Sequence, residues 1–268
     1  MIFDAYLNEL GLEAPTQPDF DFLSRYIARH MELFTFNNLS VLLKEDISLD
    51  MDTLLSKVVR RKSGGYCFEH NKLAYELLNS LGYSVRLVVG KVLNNFVRPV
   101  PRTHRITLVE IDGKSYLVDV GFGANCPITP IALNHPQPQL SGLDHYQIHV
   151  LENGEYDLVR YDHGQPFILY RFDLAHYTEA DCEMAHFYSH KHPNAVFTKN
   201  MVVSQKNKNE VKAIVNQEFT HRTANGEVTQ LIPSGAVLFE LLTDQFALSV
   251  DREVCDFIFE RTILPKLT

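Results

Sequence analysis

A chain of 268 residues with 45% hydrophobic and 22% charged side chains has the composition of a soluble globular protein, and length enough for two or three subdomains. Its formal charge of -8 excludes a general nucleic-acid binder, which needs a basic face, but leaves room for one basic pocket. No uncharged apolar run approaches the roughly 20 residues that span a bilayer.

Met1 to Leu10 carry no cationic segment ahead of an apolar run, so they do not read as a secretory signal. Phe20, Leu23, Ile27, Met31 and Phe34 recur at steps of three and four and predict a helix with one apolar stripe. Asp50 is placed to cap a helix carrying Leu54, Leu55, Val58 and Val59. A third helix starts near Cys67 and runs through Leu73, Leu77 and Leu78, with Gly82 positioned to end it.

After Gly82 the period changes. Ser84 to Val92 reads as a strand, and Arg105 to Ile111 meets Ser115 to Val120 across Asp112-Gly113, a strong hairpin signal. Asn153-Gly154 separates His145–Leu151 from Tyr156–Tyr161, and another strand runs from Pro166 to Phe172. Antiparallel strands at this spacing imply a small barrel or a sandwich. Between the strands, Asn94 to Thr103 and Pro130 to Pro138 read as ordered irregular segments. Farther on, Asn225-Gly226 joins two strand-like runs. Gly235–Leu242 and Arg252–Ile263 then read as helices, the second capped by Asp251.

Chemistry concentrates in Ser63-Gly64-Gly65-Tyr66-Cys67-Phe68-Glu69-His70-Asn71. Two glycines lead into a helix whose first turn holds Cys67, where unpaired amides and the helix dipole stabilise a thiolate and lower the thiol pKa. The competing reading is a small buried residue beneath a glycine turn. With Asp112 and Gly113 at the hairpin turn, Ile106 faces Asp119 and His104 faces Gly121. His104 and Asp119 then become diagonal neighbours about 7 Å apart, within reach of an imidazole–carboxylate bond. A carboxylate between Val118 and Val120 needs a partner to be there. The pair is either a catalytic base with its orienting acid or a purely structural couple. Thiol, imidazole and carboxylate supply a nucleophile, a base and a group that sets the tautomer.

Other features carry less. His186, His190 and His192 could seat a metal by spacing, but lack the glutamate of His-Glu-x-x-His and any nearby cysteine pair, so no metal is expected. His70 is a rival base without an obvious orienting carboxylate. Cys126 reads as a bystander thiol. Gly121-x-Gly123 lacks the third glycine of a dinucleotide fingerprint, and no nucleophile elbow or phosphate-binding P-loop is present. Cys67, Cys126, Cys182 and Cys255 are scattered without Cys-x-x-Cys spacing and read as thiols in a reducing cytoplasm.

Val59 to Asn71, Leu81-Gly82-Tyr83, Thr103-His104-Arg105 and Tyr116 to Gly123 resemble the arylamine N-acetyltransferases, as do Phe36-Asn37-Asn38-Leu39 and His192-Pro193 through Phe197. The resemblance covers most of the chain. It implies an α+β fold with a cysteine-proteinase-like core: a helical bundle over 1–83 bearing the cysteine, an antiparallel β-barrel over 84–192 bearing the histidine and aspartate, and an α/β lid over 193–268. It implies Cys67, His104 and Asp119 as the catalytic triad. It also implies a ping-pong reaction from acetyl-CoA to an arylamine, arylhydrazine or N-hydroxyarylamine, in a monomer or weak homodimer. By the same likeness Thr103, Gly121, Phe122 and Gly123 line the approach of the pantetheine arm, and Phe36, Phe122 and Phe197 wall the acceptor pocket. Lys91, Arg98, Arg102 and Arg105 are candidates for the CoA phosphates.

This chain has Ser63 where the family usually has Arg, and Asn37 where it usually has Glu. Losing both members of an ion pair leaves a neutral pair, whereas losing one strands a charge, so Asn37 and Ser63 are expected to be neighbours. Two rival functions use the same sequence. One is a papain-like amide or thioester hydrolase with water as acceptor. The other is a binding protein whose cysteine is unreactive, which would show no selective alkylation of Cys67.

Overall fold

The computed structural model describes residues 2–162 and 164–267. Its first part is helical where apolar residues step by three and four. Helices α1 (Asp4–Leu10) and α2 (Phe20–Leu33) share a core in which Leu23, Ile27 and Met31 meet Tyr6, Val58 and Leu77. Phe20 departs from the expected stripe. It starts α2 at 44% exposure and lies against the Tyr116 ring. After β1 (Phe36–Asn37) and the short α3 (Leu39–Leu42), α4 (Met51–Leu54) runs on as a π-helical stretch over Leu55–Arg60. Asp50 holds the position ahead of α4, but its carboxylate accepts from Ser48 Oγ rather than from a helix amide. Helix α5 (Cys67–Ser80) ends as the sequence predicts: Gly82 takes φ +83, and Tyr83 N donates back to Leu78 O.

Strands β2 (Ser84–Val92), β3 (His104–Ile111), β4 (Lys114–Val118), β5 (Ile131–Ala132), β6 (Gln139–Ser141), β7 (Asp144–Val150), β8 (Tyr156–Asp162) and β9 (Gln165–Phe172) form one antiparallel sheet, ordered β5-β4-β3-β2-β9-β8-β7-β6. At the β3–β4 turn Asp112 and Gly113 have φ +52 and +71, the left-handed pair that a type I′ turn requires. Thr107 faces Val118 and Leu108 faces Leu117, which is the expected register. Between barrel and sandwich, the barrel forms. Its seam is nearly closed by Gln139 on edge strand β6, whose amide accepts from Ala132 N at 2.9 Å and donates to Ala132 O at 3.1 Å on edge strand β5. One side-chain amide thus does the work of a peptide group between the two edges.

Helix α6 (Glu179–Lys191) leads to β10 (Val202–Lys206), β11 (Glu210–Val215), β12 (Glu218–Thr223) and β13 (Gly226–Leu231). Their sheet runs β1-β10-β11-β12-β13, with Phe36 facing Ser204 and Asn37 facing Val203. A segment of the helical part is therefore built into the C-terminal sheet. The last hairpin turns one residue earlier than Asn225-Gly226 suggests: Ala224 and Asn225 make the turn, and Gly226 pairs with Thr223. Helices α7 (Gly235–Glu240) and α8 (Arg252–Ile258) each widen into π-helical turns, at Leu241–Gln245 and Phe259–Ile263, before α9 (Leu264–Leu267). The two expected helices are present but not regular throughout. Asp251 precedes α8 without a side-chain capping bond.

Candidate active site

Two positions in the loop ahead of Cys67, Gly64 and Gly65, have no room for side chains. Gly64 has φ +67, and a Cβ there would fall 2.1 Å from Thr35 O, so only glycine fits. Asn37 N donates to Gly65 O at 2.7 Å, and Phe36 bridges to Gly65 in parallel. Glu69, on the first turn of α5, reaches back to Tyr66 N at 3.0 Å and binds Lys57 Nζ at 2.8 Å. Burial raises the Glu69 carboxyl, with the Lys57 charge opposing. Asn37 and Ser63 are neighbours as expected, through Asn37 Nδ2 donating to Ser63 O at 3.0 Å.

Cys67 is 2% exposed, and its Sγ lies 3.8 Å from Thr103 O, the residue immediately before His104. The low thiol pKa expected from the helix position is reversed by burial. Burial pushes the Cys67 thiol well above its ordinary value and the Asp119 charge adds to this, against the amides of Phe68 and Cys67. Helix amides do help the anion, but desolvation of a buried sulfur outweighs them. An isolated thiolate is disfavoured there, and a charged sulfur would need a cationic counter-ion.

The candidate base, His104, has a carboxylate partner in place. His104 Nε2 donates to Asp119 Oδ2 at 2.7 Å, and both side chains are almost fully buried. Asp119 is saturated with donors: Tyr170 Oη reaches Oδ2 at 2.9 Å, while Asn71 Nδ2 and Gly121 N each reach Oδ1 at 2.9 Å. Burial alone would raise the Asp119 carboxyl, but the His104 charge and hydrogen bond, with those of Asn71 and Gly121, hold it below the ordinary carboxylate value. With Nε2 committed to an ionised carboxylate, Nδ1 is the ring nitrogen left to accept a proton.

The remaining candidates gather around these three. A Cβ on Gly121 would lie 2.9 Å from Cys67 Cα, and one on Gly123 3.4 Å from the Phe36 ring. Phe122 packs edge-on to His104 with ring centroids 4.9 Å apart. Phe36 lies 6.1 Å from Phe197, which meets Tyr66 at 5.7 Å. Three of the four basic candidates already have acidic partners: Lys91 with Glu155, Arg102 with Asp173, and the buried Arg105 with Glu179. Arg98 is exposed.

The His186 ring accepts from Tyr66 Oη and donates to Ile47 O at 3.0 Å, and His190 donates from Nδ1 to His186 O at 2.7 Å. The His186 ring fastens α6 to its surroundings, while the His190 bond stays within the helix. Cys126 Sγ donates to Asp119 O at 3.0 Å, and burial raises its pKa strongly. His70 cannot act as the base, because both its nitrogens are taken by His30 and Gly65 O.

Two residues of the site went unassigned in the sequence. Asn71 binds Asp119, Arg105 O at 2.7 Å and Val120 N at 2.9 Å, tying α5 to the barrel. Its place one helical turn after Cys67, on the same face, was the available signal. Tyr170, whose ring centroid is 4.9 Å from that of His104, had none.

The family model for N-acetyltransferases matches residues 19–255. The arylamine N-acetyltransferase of Escherichia coli K12 is 32% identical over 93% of this chain and 90% of its own length. A solved Mycobacterium smegmatis N-arylamine acetyltransferase variant superposes with TM-score 0.90 at 25% identity, covering 98% of this chain and all of that one. A Mycobacterium marinum arylamine N-acetyltransferase solved in complex with CoA has the same fold, with TM-score 0.89 at 24% identity over 96% of this chain and 98% of that one.

Proposed function

This chain belongs to the arylamine N-acetyltransferase family and is an acyltransferase; on that premise we propose that it carries acetyl from acetyl-CoA on Cys67 and delivers it to arylamines, arylhydrazines or N-hydroxyarylamines. His104 Nδ1 takes the thiol proton as the sulfur attacks the acetyl carbonyl. The resulting imidazolium is stabilised by Asp119, then returns the proton to the departing CoA sulfur. An acetyl-Cys67 thioester remains. In the second half the amine nitrogen attacks that thioester, His104 takes the amine proton, and the Cys67 thiol is regenerated. The upward push on the buried thiol favours this shared proton over a free thiolate.

Thr103, Gly121, Phe122 and Gly123 would line the donor's approach, with Gly121 and Gly123 letting this segment pack directly against Cys67 and Phe36. Phe36, Phe122 and Phe197 would hold the aromatic acceptor. The relative from Mycobacterium marinum, solved in complex with CoA, supports acetyl-CoA as donor. Four free cysteines fit a reducing cytoplasm.

The observation that carries this reading is one cluster: Cys67 Sγ against Thr103 O, and the next residue, His104, bonded to Asp119 at 2.7 Å. Mass spectrometry after acetyl-CoA should find one acetyl group on Cys67, discharged faster by an arylamine than by water. Cys67→Ala should take up none while folding nearly as before. Faster discharge to water would make the protein a hydrolase, and an unmodified Cys67 would remove the nucleophile.

A further inference from the structure

Behind the nucleophile loop runs an unbroken buried line of hydrogen bonds that the transfer chemistry does not use. Tyr26 Oη lies 3.1 Å from Tyr6 Oη, and Tyr6 Oη bonds His30 Nδ1. His30 Nε2 lies 2.8 Å from His70 Nδ1, and His70 Nε2 lies 3.1 Å from Gly65 O. All four side chains have no exposed surface.

The direction of every bond follows from the last one. A carbonyl only accepts, so His70 Nε2 carries a proton. Burial drives the His70 pKa to about 4 and that of His30 well below its ordinary value, so both rings are neutral at working pH. His70 Nδ1 must then accept from His30 Nε2. His30 Nδ1 must accept from Tyr6, which in turn accepts from Tyr26. One tautomer is selected at each ring. Because the line ends on a carbonyl, it has no acceptor through which to hand a proton to the sulfur.

What it can do is hold that carbonyl. Gly65 O also accepts from Asn37 N at 2.7 Å, so the peptide two residues before Cys67 is fixed from both sides. His70 lies on the first turn of α5, three residues after Cys67, and its ring stacks on Phe36 with centroids 6.4 Å apart and planes at 22°. We propose that His70, with its tautomer set by His30, is a positioning residue that clamps the Gly65 carbonyl and so keeps the Cys67 sulfur seated against the carbonyl oxygen of Thr103, the residue before His104. This rests on the reading of Cys67 as the nucleophile and adds a second support behind it, independent of Asp119.

The chemistry of substitution is specific. Gln can accept through Oε1 from His30 and donate through Nε2 to Gly65 O. Asn offers the same groups on a shorter stem, and Leu offers neither. The experiment takes full-length His70→Gln, His70→Asn and His70→Leu, with thermal unfolding as a check on folding. Two rates are read on each: single-turnover acetylation by acetyl-CoA and alkylation of Cys67 by iodoacetamide.

His70→Leu and His70→Asn should slow both, acetylation by about tenfold to a hundredfold, the scale set by misplacing a reacting atom. KM for acetyl-CoA should stay within about twofold, since no donor contact changes. His70→Gln should return both rates to within about threefold of wild type. Folded Leu or Asn variants reacting at the wild-type rate overturn the proposal, as does a Gln variant no better than Asn. Should His70→Leu fail to fold, the Gln and Asn pair decides alone. If wild-type Cys67 is alkylated but never acetylated, the donor reading fails, and the alkylation rates still judge the clamp.

Discussion

His104 Nε2 and Asp119 Oδ2 meet at 2.7 Å with 2% and 0% of their side chains exposed, so the imidazole is held in one orientation by a carboxylate that water cannot screen. Asp119→Asn keeps the shape and removes the charge. An amide can donate to Nε2 and so turn the ring to the wrong tautomer. Acetylation of Cys67 should fall by about 10³ to 10⁴, the scale such a change produces in hydrolytic triads. Single-turnover acylation with acetyl-CoA measures it. A rate within a few-fold of wild type would remove Asp119 from the orienting role.

Tyr170 donates to the same Oδ2 at 2.9 Å, which makes it a second-order contributor. Tyr170→Phe leaves the His104 bond standing and removes one donor to a charged group, an interaction of about 1.5–3 kcal/mol at most. Acylation should fall about tenfold, with the KM of the acceptor amine unchanged. Full acylation activity in this variant would reduce Tyr170 to ring packing.

How far the chain announces its own site differs from residue to residue. His104 and Asp119 can be paired from sequence because Asp112-Gly113 dictates a two-residue turn, and the turn dictates the register of the five rungs that end at Thr107 and Val118, just short of the two residues. Asn71 closes the motif with no task visible in the sequence, since its partners Arg105 O and Asp119 lie in another part of the chain. Tyr170 reaches the site through β9, which joins β2 at only two residue pairs, Lys91–Arg171 and Val92–Tyr170. No local spacing encodes a contact of that range. The rise in the Cys67 pKa was equally hidden, because helix position is local whereas burial depends on everything packed above the helix.

Gly121 tests the geometry from the barrel side. A Cβ there would stand 2.9 Å from Cys67 Cα and 3.0 Å from Cys67 O, and neither backbone atom can swing away. Gly121→Ala should shift the first turn of α5 against the barrel, costing about 1–3 kcal/mol of stability and about a hundredfold in acylation. Urea unfolding and single-turnover kinetics check the two halves. Normal acylation would show that the nucleophile tolerates this displacement.

Asp144 carries one part of the pH dependence of the structure away from the site. It binds Lys206 Nζ at 2.8 Å and Arg222 Nη2 at 2.8 Å, and Lys206 has no exposed side-chain surface. Burial works to raise the Asp144 carboxyl, yet Lys206 and Arg222 outweigh it and bring the pKa from 3.8 down to about 2. Lys206 itself is pushed down by its burial, with Asp144 opposing. A carboxylate whose pKa is depressed by folding stabilises the native state above its unfolded pKa and loses that contribution as pH falls through the folded one. Asp144→Asn strands the buried ammonium, which costs about 3–5 kcal/mol near neutral pH. Urea midpoints of the two proteins should therefore differ by a nearly constant amount between about pH 4 and neutral pH and draw closer as pH falls toward about 2. Asp119 is present in both and cancels. A gap that stays constant through the acid range would mean that Asp144 gains nothing from Lys206 and Arg222.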